Sequence, residues 1–151
     1  MIQCIGEAHV QPRRRPRRAL IVAVIYLDTS VALAHLLSED RAPAASLWEE
    51  TLVSSRLLEY EMWNRLHARG LATSHGEHAL ELLQRLALLE LAPPVLARAL
   101  EPFPVAVRTL DALHLASIEF LREQRQKVTL ASYDVRMLEA ARKLGIPVME
   151  P

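Results

Sequence analysis

The sequence predicts an α/β protein in which a mainly parallel sheet of about five strands lies between two layers of helices. Short apolar runs rich in β-branched residues alternate with longer stretches whose apolar residues have helical spacing. Because this alternation builds right-handed βαβ units, we expect parallel strands with helices on both faces. The length of 151 residues, of which 51% are hydrophobic, matches one domain with its own core.

The first half of the chain predicts two strands, each followed by helical sequence. The near-continuous apolar run from Ile21 to Leu27 is typical of a strand buried on both faces. A hydroxyl side chain can cap the helix that follows it, and Gly70 is a stop signal for a later helix. The predicted elements are a strand at 21–27, a helix beginning at Thr29 and Ser30, a short helix at 44–51, a strand at 52–54 and a helix from Leu57 to Arg69.

The second half continues the alternation with three more strands. Pro93 and Pro94 end a brief strand-like segment, because proline cannot donate to a sheet. Thr109 can cap the long helix that it precedes, and Gly145 ends the last helix. The predicted elements are a helix from Glu77 to Leu89, a strand at 90–91, a short helix at 94–100, a helix from 109 to about 124, a strand at 128–131, a helix from 134 to 144 and a strand at 147–149.

Two features of the composition limit the class of protein. With one cysteine, Cys4, the chain can form no intramolecular disulfide and no cysteine-based metal site, which fits a reducing, cytoplasmic setting. The longest uncharged apolar run, residues 19–27, is far shorter than the roughly 20 residues that span a bilayer. We therefore expect no membrane-spanning segment.

Charge is distributed unevenly, although the formal net charge is zero. Residues 1–18 hold five arginines and one acid, which predicts a basic, disordered extension before a domain at 19–151. Residues 13–34 also have the three parts of a secretory signal, and a translation start near Val22 or Val24 is a third interpretation. The rest of the chain holds 13 basic and 17 acidic residues, an unusual balance for a protein that binds nucleic acid through basic charge alone.

Four acidic residues are expected to meet at one edge of the sheet. Asp28 directly follows the first strand, and Asp134 stands three residues beyond the fourth. Glu61 lies in the second turn of the helix after the second strand, and Asp111 lies in the first turn of the helix capped by Thr109. In open α/β sheets the reactive crevice lies outside the carboxyl ends of the strands, so the four carboxylates could converge there.

Such a cluster of carboxylates favours a divalent cation. Two carboxylates about 5 Å apart repel each other by ~3 kcal/mol at an effective dielectric constant of about 20, so four of them need a cation or protons among them. Oxygen ligands without His or Cys suit Mg²⁺ or Mn²⁺, and these ions can activate water for attack on a phosphodiester. Ser30 and Ser132, each two residues from an acid, could hydrogen-bond the ligands or bound water.

Each of these residues also has a structural interpretation. Glu61 could pair with Arg65 one turn along its helix. His114, which lies among leucines and alanines, is expected to be a packed core residue. An acid at a helix N-terminus stabilises the helix whatever its function, and this applies to Asp28, Asp111 and Asp134.

Four segments carry the acids in a characteristic order. They are IYLDTS at 25–30, SSRLLEYE at 54–61, RTLDALHLA at 108–116, and SYD at 132–134 followed by GIPV at 145–148. Together these segments resemble a PIN domain, and most closely the VapC toxins of bacterial type II toxin–antitoxin pairs. The resemblance spans about residues 24–150.

The resemblance implies a Mg²⁺- or Mn²⁺-dependent endoribonuclease that cuts RNA and arrests growth. It further implies a homodimer, a cognate VapB-type antitoxin that covers the site with a C-terminal segment, and a sheet with strand order 3-2-1-4-5. The positions that match the family's acids and their neighbouring hydroxyl residues are Asp28, Glu61, Asp111, Asp134, Ser30 and Ser132. One departure is Asn64, where the family often has arginine, and this leaves the partner of Glu61 open.

The sequence as a whole therefore predicts a three-layer PIN-like fold that carries a metal-dependent ribonuclease toxin. Two alternatives remain. A PIN-like module that only binds RNA or protein would retain RNA in EDTA without cutting it. A Mg²⁺-dependent phosphatase-like domain would need a catalytic lysine near a strand end, and the chain contains only Lys127 and Lys143.

Overall fold

The computed structural model describes residues 21–151 and contains a five-stranded sheet in which all neighbouring strands are parallel. Strand β1 lies at its centre, with two strands on either side. The order across the sheet is β3-β2-β1-β4-β5, which agrees with the order implied by the family resemblance. The strands are β1 (Ala23–Leu27), β2 (Leu52–Ser55), β3 (Ala87–Leu89), β4 (Lys127–Ala131) and β5 (Val148–Met149).

Helices cover both faces of this sheet, so the predicted three-layer α/β/α architecture is confirmed. On one face, Leu27 of the central strand joins a buried apolar cluster with residues of the first three helices. On the other face, Val24 and Tyr26 join a second cluster with residues of the last two helices. The helices are α1 (Thr29–Leu36), α2 (Arg56–Ala68), α3 (Ala72–Gln84), α4 (Pro93–Ala99), α5 (Thr109–Glu123) and α6 (Val135–Lys143), with a short 3₁₀ helix at Ala45–Glu49.

The region around the third strand differs from the prediction. The sequence predicts a helix over 77–89 and a strand at 90–91, but α3 begins at Ala72 and ends at Gln84, and β3 occupies Ala87–Leu89. Gly76 lies within α3, and a Cβ at this position would be 3.4 Å from the Trp63 ring. The apolar residues of β3 continue the helical spacing of α3, and pairing with β2 fixes them as a strand instead.

Smaller differences concern the helix starts and the first strand. The N-cap positions are Asp28 for α1 and Arg108 for α5, where a hydroxyl cap at Thr29 or Thr109 was predicted, and neither N-cap side chain makes a capping hydrogen bond to its helix. Strand β1 begins at Ala23, two residues later than predicted. The predicted basic extension at 1–18 lies outside the described residues. Within residues 21–151, no helix is long and apolar enough to cross a membrane.

Candidate active site

All four predicted acids line one cleft of about 510 Å³ at the carboxyl end of the central strands. Asp28 follows β1 directly, and Asp134 is the N-cap residue of α6, just after β4. Because β1 and β4 are neighbours in the sheet, their ends bring these two acids to the same edge. Glu61 reaches the cleft from α2 and Asp111 from the first turn of α5. We call this space, lined by the four acids, the acidic cleft.

Asp28 is the most enclosed of the four acids, with 7% of its surface exposed. Its Oδ2 atom accepts hydrogen bonds from the Ser30 hydroxyl at 2.6 Å and from the Ser132 hydroxyl at 2.8 Å. Each hydroxyl also accepts a backbone hydrogen bond, Ser30 from the Tyr133 N–H at 3.0 Å and Ser132 from the Asp134 N–H at 2.9 Å. The two serines therefore link the end of β1 to the loop after β4 and fix the Asp28 carboxylate between them.

Asp111 and Asp134 share a cation supplied by the protein itself. The Arg108 Nε atom donates to Asp111 Oδ2 at 2.7 Å, and its Nη2 atom donates to Asp134 Oδ2. The other oxygen of Asp134 accepts the N–H groups of Arg136 and Met137, at 2.9 and 3.2 Å, so it also caps α6.

These contacts shift the protonation equilibria of the two acids in opposite directions. Burial raises the pKa of Asp111, and the Arg108 guanidinium only partly offsets this. Burial alone would also raise the pKa of Asp134, but hydrogen bonds from the Met137 N–H and from Arg108 bring it below its ordinary value. The two carboxylates in turn raise the pKa of Arg108, so its guanidinium stays charged.

Glu61 bonds to a buried histidine rather than to the arginine considered from the sequence. Its Oε1 atom lies 3.1 Å from Nε2 of His114, and His114 Nδ1 lies 2.8 Å from the Tyr26 hydroxyl. His114 is 1% exposed, as expected for a packed residue. Burial alone would lower the pKa of His114, but the Tyr26 oxygen and the Glu61 and Asp28 carboxylates raise it to about 10.

The departure at Asn64 now has a structural explanation. Asn64 is exposed on α2, whereas Arg65, the next residue, lines the acidic cleft. Among the described residues, Arg65 makes no ion pair with Glu61, whose partner is His114. A positive charge is therefore present on this wall of the cleft, one position later than the family pattern has it.

A second cleft, of about 610 Å³, adjoins the acidic cleft and shares Ser30, Leu33 and Arg65 with it. We call it the arginine cleft; its lining residues are Ser30, Leu33, Glu39, Asp40, Arg41, Arg65, Arg69 and Tyr133. The Arg41 guanidinium carbon lies 5.8 Å from the centre of the Tyr133 ring. Cationic side chains and an aromatic ring therefore continue the surface away from the four acids.

The donor chemistry of the acidic cleft fits a hard divalent cation, since it offers four carboxylates and the hydroxyls of Ser30 and Thr29. Within residues 21–151, however, no three His, Cys, Asp or Glu side chains come together in a way that could hold a metal ion. Arg108 bridges two of the acids, and His114 holds a third. The four carboxylates therefore lie in one cleft, but in this structure they are hydrogen-bonded to Arg108, to His114 and to serine hydroxyls.

Arg108 was not singled out from the sequence, and His114 was described only as a packed residue. Arg108 and His114 both lie three residues from Asp111 and therefore on the same side of α5. That spacing was the available signal, but it does not show that Arg108 also reaches Asp134 or that His114 reaches Glu61. Those contacts join different elements and depend on the packing of the whole domain.

The fold and the acidic cleft define a PIN domain, and comparison with known proteins agrees. The PIN domain family model matches residues 25–143, so the chain belongs to the PIN domain family. It is 31% identical over 135 residues to Ribonuclease VapC47 of Mycobacterium tuberculosis, and the aligned region covers 85% of this chain and 97% of that protein. It is 35% identical over 134 residues to Ribonuclease VapC46 of the same species, and this alignment covers 86% of the chain and 99% of that protein. The resemblance to VapC-type PIN domains drawn from the motifs is confirmed.

Proposed function

We propose that this protein is a Mg²⁺- or Mn²⁺-dependent endoribonuclease, the toxin of a VapBC-type toxin–antitoxin pair. The observation that carries the proposal is the meeting of Asp28, Glu61, Asp111 and Asp134 in one cleft of a PIN fold. Relatives named as VapC ribonucleases, similar along most of the chain, support RNA as the substrate.

In this proposal the four carboxylates hold the cation, directly or through water. A bound ion of this kind lowers the pKa of a water molecule and stabilises charge on the leaving oxygen of the phosphodiester. Asp28 is the anchor of the set, because Ser30 and Ser132 fix its carboxylate before any ligand arrives. The buried His114 holds the Glu61 carboxylate in a similar way.

The arginine cleft gives the substrate a path to these acids. Its arginines can contact backbone phosphates, and the half-buried aromatic ring of Tyr133 lies among them. The acids alone would repel RNA, so a metal ion together with a neighbouring cationic surface resolves the conflict between a mildly acidic domain and an anionic substrate.

The decisive experiment is cleavage of total RNA by the purified full chain with Mg²⁺ or Mn²⁺, beside EDTA and Asp111→Asn controls. We expect discrete fragments that disappear in both controls. Intact RNA under all conditions, from protein shown to be folded and free of antitoxin, would contradict the proposal. RNA binding that persists in EDTA without any cleavage would instead favour the module that only binds RNA.

The proposed partners follow from the same family membership. We propose a cognate VapB-type antitoxin, a homodimer and action in the cytoplasm, where RNA substrates occur. Light scattering of the purified protein should give twice the chain mass of 17.0 kDa. A mass equal to that of one chain, across a range of protein concentrations, would show that the homodimer is wrong while leaving the ribonuclease proposal intact.

A further inference from the structure

We propose that Arg108 serves as the resident cation of the acidic cleft, and that it must leave Asp111 and Asp134 before a divalent ion can bind there. This inference rests on the proposed function, because it concerns the same acids. Arg108 would compete with the metal ion for the same carboxylates and would thereby set the concentration of free metal at which the site fills. Neither the fold nor the match to other PIN domains implies such a residue.

The first observation is the geometry of the bridge. Arg108 uses separate nitrogen atoms for two carboxylates, Nε for Asp111 and Nη2 for Asp134. These acids belong to different elements, the first turn of α5 and the N-cap of α6. The guanidinium therefore occupies the space between two of the four proposed ligands. Charge-assisted bonds of this kind are among the strongest that side chains make in proteins.

The second observation is the direction from which Arg108 reaches the acids. Its side chain is 55% exposed, whereas those of Asp111 and Asp134 are 15% and 28% exposed. The arginine thus covers the acids from the solvent side and is not enclosed by them. A rotation of its side chain into solvent would uncover both carboxylates without any change in the backbone.

The third point concerns what else could free the two acids. The guanidinium remains charged at all physiological pH values, so it cannot release them by losing its proton. The remaining partners of Asp134 are backbone N–H groups of α6, which stay in place as long as the helix does. Movement of Arg108 is therefore the available route, and a divalent ion close to the same oxygens would repel the guanidinium.

The test compares Mn²⁺ binding by calorimetry to the full chain and to Arg108→Gln, without RNA. We expect the variant to bind Mn²⁺ about tenfold more tightly, because the ion no longer has to break two charge-assisted hydrogen bonds. A matched control is Arg136→Gln. Arg136 lines the same surface recess as Arg108 and Asp111, but among the described residues it makes no ion pair. The control should change Mn²⁺ affinity by less than about twofold, since the lost charge is exposed to solvent and pairs with none of the four acids.

Thermal melting supplies a second readout and a check on folding. In EDTA, Arg108→Gln should melt as one transition, at or below the wild-type temperature, because the tie between α5 and α6 is lost. Added Mn²⁺ should then raise the melting temperature of the variant by more than it raises that of the wild type. If the glutamine variant does not fold, Arg108→Lys replaces it, with a smaller gain in Mn²⁺ affinity expected in the same direction.

The outcomes separate this inference from the proposed function. Equal or weaker Mn²⁺ binding by a folded Arg108 variant, with clear binding by the wild type, overturns the inference and leaves the ribonuclease proposal standing. An equal gain in Arg136→Gln also overturns it, because the effect would then be general electrostatics. Failure of wild type and variant alike to bind Mn²⁺ would overturn the metal site and, with it, the role of Arg108.

Discussion

The acidic cleft and the arginine cleft lie side by side and share three residues, yet they are built in different ways. In the acidic cleft every carboxylate is hydrogen-bonded within the protein, for example Asp28 to Ser30 and Ser132 and Glu61 to His114. In the arginine cleft the side chains are largely exposed, and the ion pair between Arg69 and Glu39 is long, at 3.9 Å. One surface is organised in advance, and the other is adaptable.

This difference matches the demands of the two proposed ligands. A divalent ion needs oxygen atoms at defined positions, and these are best held by strand ends and buried hydrogen bonds. An RNA backbone varies in conformation, and long arginine side chains can follow it. Arg65 lines both clefts and therefore lies next to both the proposed metal site and the proposed RNA-binding surface.

The largest effect is expected from removing one charge in the acidic cleft. Asp28→Asn should reduce single-turnover RNA cleavage by about 10³-fold or more, because the proposed metal site loses the charge of its most buried carboxylate. The fold should persist, since the amide oxygen of asparagine can still accept from Ser30 and Ser132. RNA binding in EDTA should be no weaker than in the wild type.

The matched control for this variant lies in the other cleft. Asp40→Asn removes the same charge from the lining of the arginine cleft and should leave the cleavage rate within about twofold, because an exposed charge there is screened by solvent. Comparable losses in both variants would show that the two clefts do not differ in function. If Asp28→Asn cleaved RNA at the wild-type rate, Asp28 would not be a catalytic residue.

A smaller effect is expected from the hydrogen bonds that organise the acidic cleft. Ser132→Ala removes a bond to Asp28 and leaves the Asp134 N–H without its acceptor. We expect a loss of about 1–3 kcal/mol in the free energy of unfolding, measured by urea denaturation in EDTA. Cleavage at a fixed, subsaturating Mn²⁺ concentration should fall by about tenfold, the size typical of residues that orient metal ligands.

Ser117→Ala is the control for burial alone. Ser117 is also fully buried, and among residues 21–151 its hydroxyl has one partner, the Leu113 carbonyl within α5. Its loss should cost less than about 1 kcal/mol of unfolding free energy and should not change cleavage. If Ser132→Ala matched Ser117→Ala in both measurements, the serine network would be irrelevant to the organisation of the acidic cleft.

The sequence was sufficient to predict that the four acids share one cleft, and for Asp28 and Asp134 the sheet topology explains why. Asp28 and Asp134 follow neighbouring parallel strands, and any sheet with this connectivity brings those strand ends together. The alternation of apolar runs and helical spacing predicted parallel strands, and the family resemblance implied the strand order that makes β1 and β4 neighbours. Position along the chain thus determines proximity for these acids, without any knowledge of side-chain packing.

The partners of those acids could not be predicted in the same way. The hydrogen bond between Glu61 and His114 depends on how α2 and α5 pack against the sheet. No local pattern in the sequence predicts the distance between these two side chains. The prediction of a helix over 77–89 failed for a similar reason. Its apolar spacing suits a helix, but parallel pairing with β2, for example between Val53 and Ala87, decides the structure of the last residues.

The smallest effect is expected at the residue that both clefts share. Arg65→Gln, studied in the Asp28→Asn background so that RNA stays intact, should weaken RNA binding severalfold without changing Mn²⁺ affinity by more than about twofold. The slope of log affinity against log salt should also become shallower by about 0.7, the loss expected when one phosphate contact on a single strand is removed. Fluorescence anisotropy with a labelled oligoribonucleotide measures both quantities.

Arg142→Gln provides the comparison for Arg65, because it removes an equal charge from the exposed end of α6, away from the lining of either cleft. Its salt slope should equal that of the parent, since a charge that touches no phosphate releases no counterion. An unchanged slope in Arg65→Gln as well would mean that RNA approaches the acids by another route. A large change in Mn²⁺ affinity would instead show that Arg65 acts on the acidic cleft alone. Arg65 would then not belong to the surface that binds RNA.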